Sequence, residues 1–210
     1  VSVFSHLVAS ENELHDEFTR HQLARFSAMA DKIAEGLDYA FIRHISNTSG
    51  ISRHPDAQLD MVRIGIGLYG FDGGILNNKG LQTVAVLKTT VTQIKKIKPN
   101  ETVGYSRKGV LPEGGIIATV KIGYADGYNR KFGNGIGHML VNDKLVPTVG
   151  VICMDMCMPD VTGLGEKTGD EVIVFDGRLT ISELANQIDT IPYEILTNIS
   201  QRVKRVYFYE

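Results

Sequence analysis

Apolar positions along the chain follow two rhythms, and the change falls near residue 75. Before it, apolar runs alternate with helix-period segments. Residues 1–9 form the first run. Ser10-Glu11-Asn12-Glu13 follows with the spacing of a capping box, in which the Ser hydroxyl and the Glu carboxylate satisfy free amides at a helix start. Leu14, Phe18, Phe26, Met29 and Ile33 recur at helical spacing, which predicts one buried face. Gly36 offers the left-handed position that ends many helices. Residues 39–45 make a second apolar run, 55–59 a short helix, and 61–69 a third strand that is apolar except at Arg63. Strand, helix, strand, helix, strand is the grammar of parallel βαβ units. Three such strands close no barrel and leave exposed edges.

Residues 73–80, with Asn77-Asn78, read as a turn-rich linker. Beyond it come short strands separated by turn signals: 84–97, 115–122, 138–141, 147–156 and 171–175, with Pro99-Asn100 and Asn142-Asp143 as turns. Thr180-Ile-Ser-Glu183 is a second capping box, opening a helix to about residue 188, and Pro192 opens another to about 199. Residues 202–209 read as a closing strand. The expected fold is therefore an α/β part over residues 1–75 followed by a mainly antiparallel β domain over 76–210.

Composition narrows the function. The chain has 210 residues, 22 Lys+Arg against 24 Asp+Glu, and is 43% apolar. It has enough apolar content for real cores, unlike a disordered or collagen-like chain. A net charge of −2 argues against nucleic acid or a polybasic membrane role. No apolar run approaches the ~20 residues of a membrane span, and the opening residues lack the basic head of a signal peptide. Cys153 and Cys157 make no disulfide scaffold and suit a reducing cytoplasm. Their C-x3-C spacing is not that of a zinc site, and the six His form no metal-binding pattern, so no metal is expected.

Four segments carry candidate chemistry. Arg63 sits in an apolar strand, where a guanidinium is costly unless paired; it suits either a surface ion pair or a strand-end ligand contact. Gly65 and Gly67 beside it mark a close backbone approach. Ser46-Asn47-Thr48-Ser49-Gly50 offers hydroxyls and amides that could cradle a phosphate, or simply form a loop. Tyr124, in Gly123-Tyr-Ala-Asp-Gly127, is either an accessible phenol at a strand end or a packing aromatic; as a base it needs a nearby cation or donor. Strand alternation places Cys153, Asp155 and Cys157 on one face, with Met154 and Met156 on the other.

Six motifs in this order resemble the C-terminal portion of the alanine racemase family nearly end to end. They are Phe4-Ser-His-Leu, His44-Ile-Ser-Asn-Thr-Ser-Gly50, Met61-Val-Arg-Ile-Gly-Ile-Gly-Leu-Tyr-Gly70, Val103-Gly-Tyr-Ser-Arg107, Ile122-Gly-Tyr-Ala-Asp-Gly-Tyr128 and Gly150-Val-Ile-Cys-Met-Asp-Met156. The resemblance implies a pyridoxal 5'-phosphate enzyme that interconverts L- and D-alanine for peptidoglycan synthesis. Residues 1–75 would be the last three strand/helix units of a (β/α)8 barrel. It also implies a homodimer with shared active sites and a small amino-acid substrate. By it, Arg63 meets the pyridine nitrogen, and Thr48 with the amides of Gly65 and Ile66 holds the phosphate. His44 stands behind that arginine. Tyr124 is one of two catalytic bases, and the Met154 amide meets the substrate carboxylate. Tyr124 and Met154 would serve the partner's cofactor.

Two departures qualify the match. The family's cofactor lysine belongs to a segment outside these residues, and Lys32, Lys79 and Lys88 sit in no matching motif, so the 210 residues alone are expected to be inactive. Gln201 stands where many members place a phosphate-binding tyrosine. A broader serine or lysine racemase, or a non-catalytic dimerisation module, remains open at this point.

Overall fold

The computed structural model describes residues 1–72 and 80–208, so all but the last residue of the linker expected over 73–80, Lys79 included, lies outside the described residues. The chain divides into two units, Val1–Val84 and Ala85–Glu210.

In the first unit, β1 (Ser2–Phe4) is joined by α1 (Asp16–Glu35) to β2 (Ile42–His44), and α2 (Thr48–Arg53) follows. The two strands pair in parallel, with Val3 opposite Arg43. Such pairing needs a crossover, which α1 supplies. The helix start differs from the expected capping box. Asn12 caps the short turn Glu13–His15 that leads into α1, while the Ser10 hydroxyl is buried and donates to Asn47 Oδ1 at 2.9 Å. Gly36 ends α1 at φ −95, so no left-handed residue is required there. The buried face is also narrower than the apolar pattern. Phe26, Ala30 and Thr19 are buried, and Phe26 packs with Leu7, Ile45 and Ala57. Leu14, Phe18, Met29 and Ile33 stay exposed, because two strands cannot cover so wide an apolar stripe. Phe18, Met29 and Ile33 instead line an open groove of about 450 Å³ with Val3 and Phe4.

The third strand expected over 61–69 does not form. Asp60 N–H donates to Arg43 O and Arg63 N–H to Ser46 O, so the segment runs beside β2 through two isolated bonds. Ile66–Tyr69 then coils into a 3-10 turn closed by Gly70 at φ +87. Glycines at 65 and 67 weaken a ladder and permit that coil.

The second unit is antiparallel. Its strands are β3 (Leu87–Ile97), β4 (Thr102–Val103), β5 (Gly109–Val110), β6 (Gly115–Val120), β7 (His138–Val141), β8 (Lys144–Pro147) and β9 (Glu171–Phe175). Five of them form one sheet in the order β6-β3-β9-β7-β8, and β4 pairs with β5. Asn142 and Asp143 adopt φ 47 and 60 between β7 and β8, the left-handed pair that a tight hairpin needs. Ile97, Val103, Ile117, Val149 and Met158 form a core cluster. The Thr180–Glu183 capping box closes as expected and starts α3 (Ile181–Gln187); Pro192 opens α4 (Pro192–Thr197).

Two expected strands are absent here. Only residue 147 of the run 147–156 lies in a strand; beyond it the chain bends, and Cys153 N–H bonds back to Met156 O at 2.9 Å. The described residues of the closing run, 202–208, form no strand. Among the described residues no helix is long and apolar enough to cross a membrane.

Ile117→Ala, in the core cluster, should cost about 2–5 kcal/mol. Leu145→Ala, on the exposed side of β8, should stay within about 1 kcal/mol. Equilibrium urea unfolding checks this, and equal costs would contradict the placement of the core.

Candidate active site

In the first unit the site grows from the end of β2. His44, Ile45 and Ser46 are buried there. Asn47 caps α2 by accepting the Gly50 N–H at 2.9 Å, and its amide donates to Leu7 O at 3.0 Å. This places Thr48, itself buried, at the helix start. Thr48 Oγ1 accepts the Gly65 N–H at 3.0 Å and the Gly67 N–H at 3.3 Å. A hydroxyl has two lone pairs and one proton. With both lone pairs engaged, Thr48 is left to donate its proton. Gly67 eases this approach: a Cβ there would lie 3.1 Å from Thr48 Cγ2 and from Ile64 Cγ2, so those methyls would have to give by a few tenths of an ångström. Ile66 is buried behind the turn.

Arg63 stands two residues before Gly65 and is held by backbone carbonyls and imidazole nitrogens. Its guanidinium donates to Ser5 O at 2.7 Å and Ile45 O at 3.2 Å, and meets His6 Nδ1 at 3.2 Å. It also contacts His44 Nδ1 at 2.5 Å and lies over the Phe4 ring at 5.5 Å. The positive charge is therefore oriented but not neutralised by these contacts. A pyridine nitrogen and a phosphate fit this donor set: a fixed cation that does not give up its proton, and a hydroxyl whose proton is free to be donated.

In the second unit the site is a pair of turns. Tyr124–Asp126 forms a 3-10 turn after β6, entered through Gly123 and left through Gly127 at φ +106. Tyr124 N–H donates to Cys153 O and Ala125 N–H to Met154 O, both at 3.0 Å. Gly123 packs so closely on the second turn that a Cβ would fall 2.3 Å from Met154 O. Tyr124 and Met154 are thus brought together, and both side chains are exposed. Among the described residues the Tyr124 hydroxyl and the Met154 amide make no hydrogen bond, so both are available to a ligand. Tyr128 differs sharply. It stacks on Phe132 at 4.5 Å, and burial pushes its phenol well above the ordinary value, so it is a packing residue. Burial likewise raises both thiols, Cys153 and Cys157. Gln201 lies exposed in a turn. Among the described residues no group of three His, Cys, Asp or Glu could hold a metal ion.

Sequence reasoning missed Asn47, whose cap organises the hydroxyl cluster, and Asp126, whose Oδ2 accepts the Gly123 N–H at 2.9 Å. The second had a visible signal: an Asp three residues after a glycine, at the spacing of a cap that reaches back to its own turn. The expected alternation of residues 153–157 fails because Cys153 and Met156 close a turn instead of continuing a strand.

Comparison with known proteins agrees with this architecture. Residues 1–72 match the family model described as "Alanine racemase, N-terminal domain", and residues 84–207 match "Alanine racemase, C-terminal domain". The chain is 38% identical to alanine racemase 1 of Clostridium acetobutylicum, over 98% of this chain and 55% of that protein. It is 39% identical to the alanine racemase of Clostridium tetani, over 98% and 55%. Among solved structures, it resembles the Clostridium difficile 630 alanine racemase in complex with cycloserine with a TM-score of 0.86 and 36% identity, covering 96% of this chain and 54% of that one. The alanine racemase of Bartonella henselae with covalently bound pyridoxal phosphate gives a TM-score of 0.87 at 32% identity, covering 99% and 56%. The chain belongs to the alanine racemase family and spans about half the length of these relatives.

His44 gives the site a pH signature. Burial, and then the Arg63 charge, hold its imidazole below the ordinary value of about 6.5. Its Nδ1 accepts from Arg63, so the neutral ring carries its proton on Nε2. A histidine whose folded value is depressed stabilises the fold fully above the unfolded value and loses that contribution as pH falls below it. NMR titration should place His44 below about 6.5. Stability should decline as pH drops through that window, and His44→Gln should remove this part of the decline. Titration at or above the ordinary value would contradict the geometry.

Proposed function

We propose that this chain is the C-terminal part of a pyridoxal 5'-phosphate-dependent alanine racemase, which interconverts L- and D-alanine in the cytoplasm for peptidoglycan synthesis. The observation that carries the reading is the Arg63 guanidinium, held by carbonyls and imidazole nitrogens with no carboxylate among these partners, two residues before the glycine that donates to Thr48. The family match over both units supports it. On this reading residues 1–75 belong to a (β/α)8 barrel and 76–210 to the β domain.

Bound pyridoxal phosphate would supply an electron sink that acidifies the hydrogen on the substrate's α-carbon. Arg63 would donate a hydrogen bond to the ring nitrogen and keep its own proton, since a guanidinium does not deprotonate in proteins. That moderates the sink and limits side reactions. Thr48 donates its hydroxyl proton to the phosphate, and the Gly65 N–H acts through Thr48, whose Oγ1 accepts it. His44 fixes the guanidinium from behind.

Inverting a stereocentre requires proton transfer on both faces of the α-carbon, which one side chain does not easily serve. Tyr124 takes or returns the hydrogen on one face, and the Met154 amide holds the substrate carboxylate. A lysine from the remainder of the protein serves the other face. Tyr124 and Met154 act on the cofactor of the partner in a homodimer with shared sites. The 210 residues alone, without that lysine, do not racemise.

In the complete cofactor-loaded enzyme, Tyr124→Phe should lower kcat about 10²- to 10⁴-fold in a coupled alanine racemisation assay. Unaltered rates in both directions would remove Tyr124 from the chemistry.

A further inference from the structure

We propose that Arg202 is a positioning residue that clamps the Tyr124 turn to the Met154 turn and so fixes the phenol against the substrate's α-carbon. The inference rests on Tyr124 being the proton-transferring group.

Three segments meet around Asp126. Its Oδ2 accepts the Gly123 N–H at 2.9 Å, which closes the Tyr124 turn from within. Its Oδ1 accepts from Arg202 Nε at 2.7 Å. The same guanidinium reaches Asp155 Oδ1 through Nη2 at 2.5 Å, and Asp155 follows Met154 directly. One planar cation thus joins the two turns that present the phenol and the amide. Arg202 is itself anchored from the backbone: Ser200 N–H donates to Asp126 O at 3.1 Å. Gly127 abuts this segment too, since a Cβ there would fall 2.4 Å from Asn198 O.

The arrangement is a poor source of stability. Arg202 is about half exposed (46%), as is Asp155 (52%), and exposed ion pairs contribute little. Its value is geometric. Cys153 O and Met154 O hold the Tyr124 turn through its amides, so the guanidinium fork is the side-chain tie added to those backbone bonds. A fork carries its two donors at fixed separation. A lysine, as a single point charge, could satisfy one carboxylate but not both in the same plane.

The test uses the complete enzyme, comparing Arg202→Gln and Arg202→Lys with Tyr124→Phe. Arg202→Gln should unfold thermally within a few degrees of the parent yet lose about 10- to 100-fold in kcat, with KM within about threefold. The primary isotope effect with α-deuterated alanine should rise for the enantiomer whose hydrogen Tyr124 takes and stay unchanged for the other. A mere loss of folded protein cannot produce that asymmetry. In the cofactor-free protein, the amides of Gly123, Tyr124 and Ala125 should exchange hydrogen roughly tenfold faster or more. Arg202→Lys should recover part of each effect. If Arg202→Gln does not fold, Asp155→Asn, which removes the exposed half of the clamp, carries the same expectations. Parent-like exchange and isotope effects, with Tyr124→Phe impaired, would overturn the clamp alone. Parent-like rates in Tyr124→Phe would overturn the underlying assignment, and the exchange data would still judge whether Arg202 holds the turns.

Discussion

Arg63 reaches back to the ends of both strands in its unit and is held there by a carbonyl after β1, a carbonyl after β2 and two imidazoles. That choice of partners constrains everything around it. A half-buried guanidinium is ordinarily matched by a carboxylate, which would cancel its charge. Carbonyls and imidazole nitrogens satisfy the donors and orient the plane but leave the charge available. They also demand that His44 stay neutral, which its burial and the adjacent cation both favour.

The two units solve the same problem with different means. In the first unit a side chain, Asn47, caps a short helix and sets the hydroxyl of Thr48 where two backbone amides occupy its lone pairs. In the second, glycine permits a backbone approach that no other residue allows. Gly123 lies against the carbonyls of Cys153 and Met154, and the turn it opens is cross-bonded to theirs. Each unit therefore presents one candidate group from a backbone fixed by local bonds.

Much of this was legible in the sequence, for identifiable reasons. The Thr180–Glu183 box and the Asn142-Asp143 hairpin depend on local chemistry alone, and both form as read. The parallel pairing of β1 with β2 followed from alternation of period. What failed depended on tertiary partners. Ser10 was free to cap a helix until Asn47 offered its carbonyl oxygen. Residues 61–69 have strand composition, but Gly65 and Gly67 let the chain coil toward Thr48 instead. The apolar stripe of α1 is genuine; Phe18 and Met29 remain exposed because two strands cannot cover it. Motif resemblance singled out Arg63, Thr48, Tyr124 and Met154, whereas Asp126, which shapes the turn that carries Tyr124, was passed over because its role is visible only as a bond to its own backbone.

Arg63 offers a hydrogen bond without giving up a proton. The most direct measurement is the nitrogen chemical shift of ring-labelled pyridoxal phosphate in the complete enzyme near neutral pH. The expected result is a hydrogen-bonded but unprotonated ring nitrogen, whose shift moves when Arg63 is replaced by Ala. A protonated ring nitrogen, or a shift indifferent to that replacement, would contradict it.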